Sequence, residues 1–209
     1  MTCAHCCMNA TTKGEDMSLD TFKRIIDEYC IDNYITLGGG EPTLNPKFND
    51  MLMYSLAHCE SVFMVTNGSI TDTAITLAAL NSVDKFTCLL SQDEYHDFID
   101  PKVIEAFYKA SEDVGRKNEF QQDFIRDVGS NLMPVGRALT NEIADESIIG
   151  CGTGGPIIKP SGEAYWCICE GAPKLDLDDI PYDYYDNDYC WSTYKQNGGT
   201  DDIIRLFTC

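Results

Sequence analysis

Tyr34-Ile35-Thr36-Leu37-Gly38-Gly39-Gly40-Glu41-Pro42 is the stretch on which the fold turns. Four β-forming residues run into three glycines, which stop the strand and start a loop. Two similar runs follow: Val62-Phe63-Met64-Val65-Thr66 is closed by Asn67-Gly68, and Phe86-Thr87-Cys88-Leu89-Leu90 leads into Ser91-Gln92-Asp93. Near-continuous apolar runs of this length predict strands buried on both faces, as in parallel sheets. Consecutive glycines let the backbone take positive φ and pass close to a ligand. A carboxylate just behind them can grip an ammonium group. In parallel α/β folds ligands sit beyond the carboxyl ends of the strands, where Gly39, Gly40, Glu41 and Pro42 fall. A plain turn is the other reading of the same loop.

Helical patterns separate these strands. Ser18 is placed to cap a helix whose apolar stripe is Leu19, Phe22, Ile25, Ile26 and Tyr29. Asn45-Pro46 and Asp100-Pro101 each set a capping residue before a proline at the first helical position. Helices over 46–58, 71–82 and 101–114 complete an alternation of strand and helix, which means crossover units and a parallel sheet. Beyond residue 115 the pattern loosens: a strand is expected over 123–128 and a short helix over 140–146. Residues 157–166 read as a hairpin turning at Pro160-Ser161-Gly162. Residues 174–190, rich in Asp and Tyr, read as a solvated tail wrapped on the domain. No internal repeat is evident.

The 209 residues suit one domain, at most two, and 44% hydrophobic residues suffice for a core. Fifteen basic against 34 acidic residues leave a net charge of −19, which repels phosphate backbones and argues against duplex nucleic acid as a partner. Eleven cysteines are more than packing requires, and leave a disulfide framework or metal ligation as explanations. The chain starts Met1-Thr2-Cys3-Ala4-His5-Cys6-Cys7, without a basic and then apolar leader, and no run nears the roughly 18 apolar residues of a membrane span. A cytoplasmic location, reduced thiols and a metal are therefore expected. Cys30, Cys59 and Cys88, within helix and strand patterns, are read as buried fillers.

Cys3-Ala4-His5-Cys6 spaces two thiolates so that they can face one centre, and soft sulfur selects zinc or iron–sulfur clusters. Alone, such a pair is most often structural zinc. Taken with the glycine loop, the chain resembles the radical S-adenosylmethionine superfamily, whose signature is C-x3-C-x2-C after the first barrel strand and Gly-Gly-Glu-Pro after the second. Cys3 and Cys6 match the second and third cysteines, with His5 where an aromatic is usual, and Gly39-Gly40-Glu41-Pro42 matches the second motif. Thr66-Asn67-Gly68 and Ser91-Gln92-Asp93-Glu94-Tyr95-His96 look like the loops after the next two strands. The likeness spans residues 1–140 in the right order.

That resemblance implies a four-iron, four-sulfur cluster held by three thiolates, with S-adenosylmethionine chelating the remaining iron. Glu41 and the Gly39–Gly40 backbone would orient the methionine ammonium, while Ser91, Asp93 and the Asn67 region would lie near ribose or substrate. An electron from a low-potential donor such as flavodoxin or ferredoxin would cleave the sulfonium and release a 5′-deoxyadenosyl radical onto an unknown substrate. Counting back from Cys3 puts the first motif cysteine, and the strand before it, ahead of Met1. Cys7 does not replace that ligand at the same loop geometry. An N-terminally truncated or late-started barrel is thus expected, and a fragment without activity is an alternative.

Cys151, Gly162, Cys167 and Cys169 are spaced like the opening of the SPASM and twitch extensions, which carry auxiliary clusters; Cys190 and Cys209 could complete one site. The later SPASM cysteine run is absent, and zinc or no metal at all are the other readings. Asp93 and His96 are candidates for a substrate-side acid or base, a surface histidine being the plainer account. His58 is expected to end a helix. Arg137, in another stretch resembling extended family members, could take the methionine carboxylate. The expected architecture is α/β: an open partial parallel barrel lacking its first strand over 1–148, then a cysteine-bearing hairpin extension and acidic tail over 149–209. A different class, a non-catalytic zinc- or iron–sulfur-binding interaction protein, fits the same thiols. Family members with such extensions often modify peptides or proteins, which directs the substrate expectation there.

Overall fold

The structure is a computed structural model that describes residues 3–31, 33–118, 123–127, 129, 132, 136–145, 147, 156–165, 167 and 172–176. The chain divides into two units, one of Ser18–Gly129 and one that joins Thr2–Met17 to Ser130–Cys209. The N-terminal cysteine segment thus groups with the later part of the chain.

In the first unit the strands are β1 (Tyr34–Leu37), β2 (Ser61–Thr66), β3 (Phe86–Ser91) and β4 (Ile125–Arg126), hydrogen-bonded in that order. All three pairings are parallel, with Leu37 opposite Met64 and Thr66 opposite Leu90. Short glycine-closed apolar runs followed by amphipathic crossovers leave the chain this arrangement, because a parallel neighbour requires a long return connection. The expected burial on both faces is only partly met. Val62, Met64, Phe86, Cys88 and Leu90 are buried, whereas Tyr34 and Thr36 of β1 are exposed. Where β4 is too short to reach Cys88, the Asn81 side chain closes the ladder instead: its amide donates to the Cys88 carbonyl at 3.0 Å and accepts the Cys88 N–H at 2.7 Å. An unmade buried pair there would be costly, and the buried amide removes it.

The helices are α1 (Leu19–Ile25), α2 (Phe48–His58), α3 (Thr71–Leu80) and α4 (Pro101–Asn118). Ser18 caps α1 as its residue type dictates, accepting Thr21 N–H at 3.1 Å, and Phe22, Ile25 and Ile26 bury the stripe. The last turn, Ile26–Cys30, is π-helical. Pro101 does open α4 behind Asp100, whose carboxylate accepts Lys102 N–H at 3.0 Å. Pro46 does not open α2: Asn45 folds into a turn, its side chain accepting Lys47 N–H at 2.8 Å, and the helix starts at Phe48. Phe107 and Val103 of α4, with Phe124, are fully buried.

Gly68 shows how tightly the end of β2 is packed. Its φ is +72°, and a Cβ there would lie 3.0 Å from Leu90, 3.1 Å from Val103 and 3.2 Å from Ile99. Gly68→Ala should lower stability by about 2–4 kcal/mol, combining left-handed strain with overpacking. The check is a lower urea midpoint at unchanged slope.

In the second unit, α5 (Gly136–Thr140) lies earlier than the helix expected over 140–146. Glu142, at φ +56°, ends it in the left-handed region. Strands β5 (Ile157–Ile158), β6 (Ala164–Tyr165) and β7 (Lys174–Leu175) form an antiparallel sheet in that order. Gly162 turns the chain between β5 and β6 at φ +85°. Lys174, expected in the solvated tail, is instead a strand residue whose ammonium pairs with Glu163. The rest of the acidic segment, from 177 on, lies outside the described residues. No helix among the described residues is long and apolar enough to cross a membrane.

Candidate functional site

Because β1, β2 and β3 run parallel and side by side, their following loops emerge at the same edge of the first unit. Glu41 joins two of them. One carboxylate oxygen accepts Thr43 N–H at 3.2 Å, the Thr43 hydroxyl at 2.6 Å and the Thr66 hydroxyl at 2.8 Å. The other accepts Asn67 N–H at 2.8 Å. A carboxylate accepts at several positions, and charge-assisted bonds are the strong ones. Glu41 is thus the brace between the loops after β1 and β2, a role its position in the sequence does not announce. Pro42 begins a short 3₁₀ turn, Pro42–Leu44, and Asn67 turns on itself by accepting Ser69 N–H at 2.8 Å.

Gly39 has φ +126° and open space where a Cβ would stand, and Gly38 and Gly40 are exposed beside it. Bare, accessible backbone in this conformation fits close approach by a polar ligand such as the methionine part of S-adenosylmethionine. At the end of β3, Ser91 is buried, and the Asp93 side chain is 1% exposed. One Asp93 oxygen accepts Tyr95 N–H at 2.9 Å and lies 2.7 Å from His96 Nδ1. The other Asp93 oxygen and the Gln92 side-chain oxygen are buried and make no hydrogen bond among the described residues. Two acceptors in want of donors suit a ligand carrying hydroxyl or ammonium groups.

In the second unit Cys3, Cys6 and Cys7 share one loop. Cys6 N–H returns to the Cys3 carbonyl at 3.2 Å, and Cys6 Sγ accepts Ala10 N–H at 3.4 Å. Soft sulfur donors on one turn, one of them already accepting a backbone N–H, fit an iron–sulfur cluster by their chemistry. Arg137, expected at a ligand carboxylate, gives Nε to the Cys3 carbonyl and Nη1 to the Ala10 carbonyl, each at 2.8 Å. Asn141 donates to the Ala4 carbonyl at 2.8 Å. A Cβ on Gly136, at φ +55°, would lie 2.4 Å from the Cys6 carbonyl oxygen. The sequence carried no signal for Gly136 or Asn141 beyond residue type.

The remaining cysteines sort by burial. Cys88 is fully buried, and desolvation, assisted by Glu41, pushes its thiol far above the ordinary range. Cys59 is buried and shifted upward, chiefly by burial. Cys30, expected to be buried, is half-buried, and burial and then nearby Cys59 push its thiol up to about 11. These three are poor thiolates and poor ligands. Cys167 is buried after β6, and Cys151, Cys169 and Cys190 lie outside the described residues. His58 does end α2, its Nδ1–H donating to the Tyr54 carbonyl at 2.9 Å.

A family model described as the Radical SAM superfamily matches residues 1–114. Among curated proteins, a 90-residue stretch is 39% identical to "Mycofactocin maturase MftC" of Mycobacterium tuberculosis, from both strain CDC 1551 / Oshkosh and strain ATCC 25618 / H37Rv. That stretch is 40% of this chain and spans 23% of each relative's length.

Proposed function

Because the chain belongs to the radical SAM superfamily, we propose that it is an iron–sulfur enzyme that reductively cleaves S-adenosylmethionine and turns the resulting radical on a peptide or protein. The observation that carries this reading is the Glu41 brace, which ties the Gly39-Gly40-Glu41-Pro42 loop to the Thr66-Asn67-Gly68 loop at the strand ends. That edge is where parallel α/β folds seat ligands. The name maturase, borne by the curated relatives, supports a substrate of this class.

Cys3 and Cys6 would hold the cluster, and Gly39, Gly40, Glu41 and Pro42 would seat the methionine end of the nucleotide. Asn67 and Ser91 would lie toward ribose or substrate. When bound, the cluster and the sulfonium nucleotide supply a 5′-deoxyadenosyl radical able to take hydrogen from carbon. Asp93 holds the His96 ring at 2.7 Å through Nδ1, and the pair would be the substrate-side acid or base. An electron donor such as flavodoxin or ferredoxin is required by this chemistry. A twitch-like hairpin extension with Cys151, Cys167, Cys169 and Cys190 on an auxiliary cluster belongs to the same proposal.

The test is anaerobic reconstitution of the full chain with iron and sulfide, followed by S-adenosylmethionine and dithionite. Expected are a broad visible absorption near the thiolate–iron region and formation of 5′-deoxyadenosine, both lost in Cys3→Ala and Cys6→Ala. Stoichiometric zinc with neither signal would overturn the proposal in favour of a metal-binding interaction protein.

A further inference from the structure

Residues 3–10 are wrapped around the start of α5. The Cys3 carbonyl accepts Arg137 Nε, the Ala10 carbonyl accepts Arg137 Nη1, the Cys6 carbonyl accepts Arg137 N–H at 3.0 Å, and the Ala4 carbonyl accepts Asn141. Gly136 allows the close approach, since its Cβ position falls 2.4–2.8 Å from Cys6 and Cys7 backbone atoms. Four carbonyls of one short loop are therefore collected by two neighbouring residues of another segment. We infer that Arg137, supported by Asn141, is a positioning residue for the cysteine loop: it draws the loop's carbonyl oxygens to itself and so sets the thiols of Cys3 and Cys6 for a shared anionic centre.

The physical reason is charge. A thiolate-bound iron–sulfur cluster is anionic, so carbonyl oxygens facing it would oppose binding, while N–H groups and nearby cations favour it. Ala10 N–H already points at Cys6 Sγ. A guanidinium suits the task because its planar fork serves two carbonyls in fixed directions, which an ammonium does not. The role toward a cluster rests on the function proposed above; the grip on the loop does not.

Amide exchange of the full chain before reconstitution tests the grip. In Arg137→Gln the amides of Cys6, Asn9 and Ala10 should exchange about tenfold faster or more, the expected effect of losing charge-assisted bonds. Asn141→Ala, at an exposed position, should loosen the same amides less and retains a measurable protein if Arg137→Gln folds poorly. After reconstitution, Arg137→Gln should lower the cluster's midpoint potential, and Arg137→Lys should restore the potential through its charge without restoring exchange protection. Unchanged exchange in both Arg137→Gln and Asn141→Ala overturns the inference. Faster exchange in a chain whose wild type takes up no iron and sulfide supports the grip and instead overturns the cluster reading.

Discussion

Glu41→Ala is expected to destabilise the chain by about 2–4 kcal/mol: it strips the acceptor from four donors, three of them open to replacement water, and one charge-assisted bond lost without replacement costs about 1.5–3 kcal/mol. The lost donors are Thr43 N–H, the hydroxyls of Thr43 and Thr66, and Asn67 N–H. Thr66 is buried, so its hydroxyl has little access to replacement water. Glu41→Gln should cost roughly half as much, because one oxygen survives while an amide N–H₂ meets the Asn67 N–H. Urea midpoints of the two variants give the comparison. A loss under about 0.5 kcal/mol for Glu41→Ala would mean that the carboxylate is solvated and joins nothing. In reconstituted protein, S-adenosylmethionine affinity should fall in both variants, because the loops proposed to seat it lose their common anchor.

Gly136→Ala should be comparably damaging, for a steric reason. The new methyl would need space already held by backbone atoms of Cys6 and Cys7 at 2.4–2.8 Å, and backbone cannot rotate away as a side chain can. Strain at φ +55° and overpacking together predict a loss of about 2–4 kcal/mol. Gly129→Ala is the internal control: its φ is +57° but nothing lies within 4 Å, so only the conformational cost of about 1 kcal/mol remains. Amide exchange at Arg137, which donates to the Cys6 carbonyl, should accelerate in Gly136→Ala and not in Gly129→Ala. Equal behaviour of the two variants would show that α5 and the cysteine loop can separate without cost.

Local signals carried the strands well. Tyr34–Leu37, the run from Val62 and the run from Phe86 each lie within one short apolar segment punctuated by glycine or Asx residues, so neighbours in sequence suffice to define them. The start of α2 is not legible locally, because Asn45 has two ways to use its side chain, as a helix cap or as a turn former, and Pro46 is compatible with both. The short helix near residue 140 starts earlier than its local pattern indicates, because its start depends on Gly136 fitting against Cys6, which no local pattern reports.

The motif spacing and the strand–helix alternation determined the α/β class, the parallel sheet and the family, because period and turn chemistry act over a few residues. What Glu41 and Arg137 hold follows from the folded arrangement alone. Glu41 reaches Thr66 across 25 residues, and Arg137 reaches Cys3 across 134. A charged side chain shows its need for partners in its type, but which partners answer is settled where the folded backbone brings donors and acceptors within bonding distance.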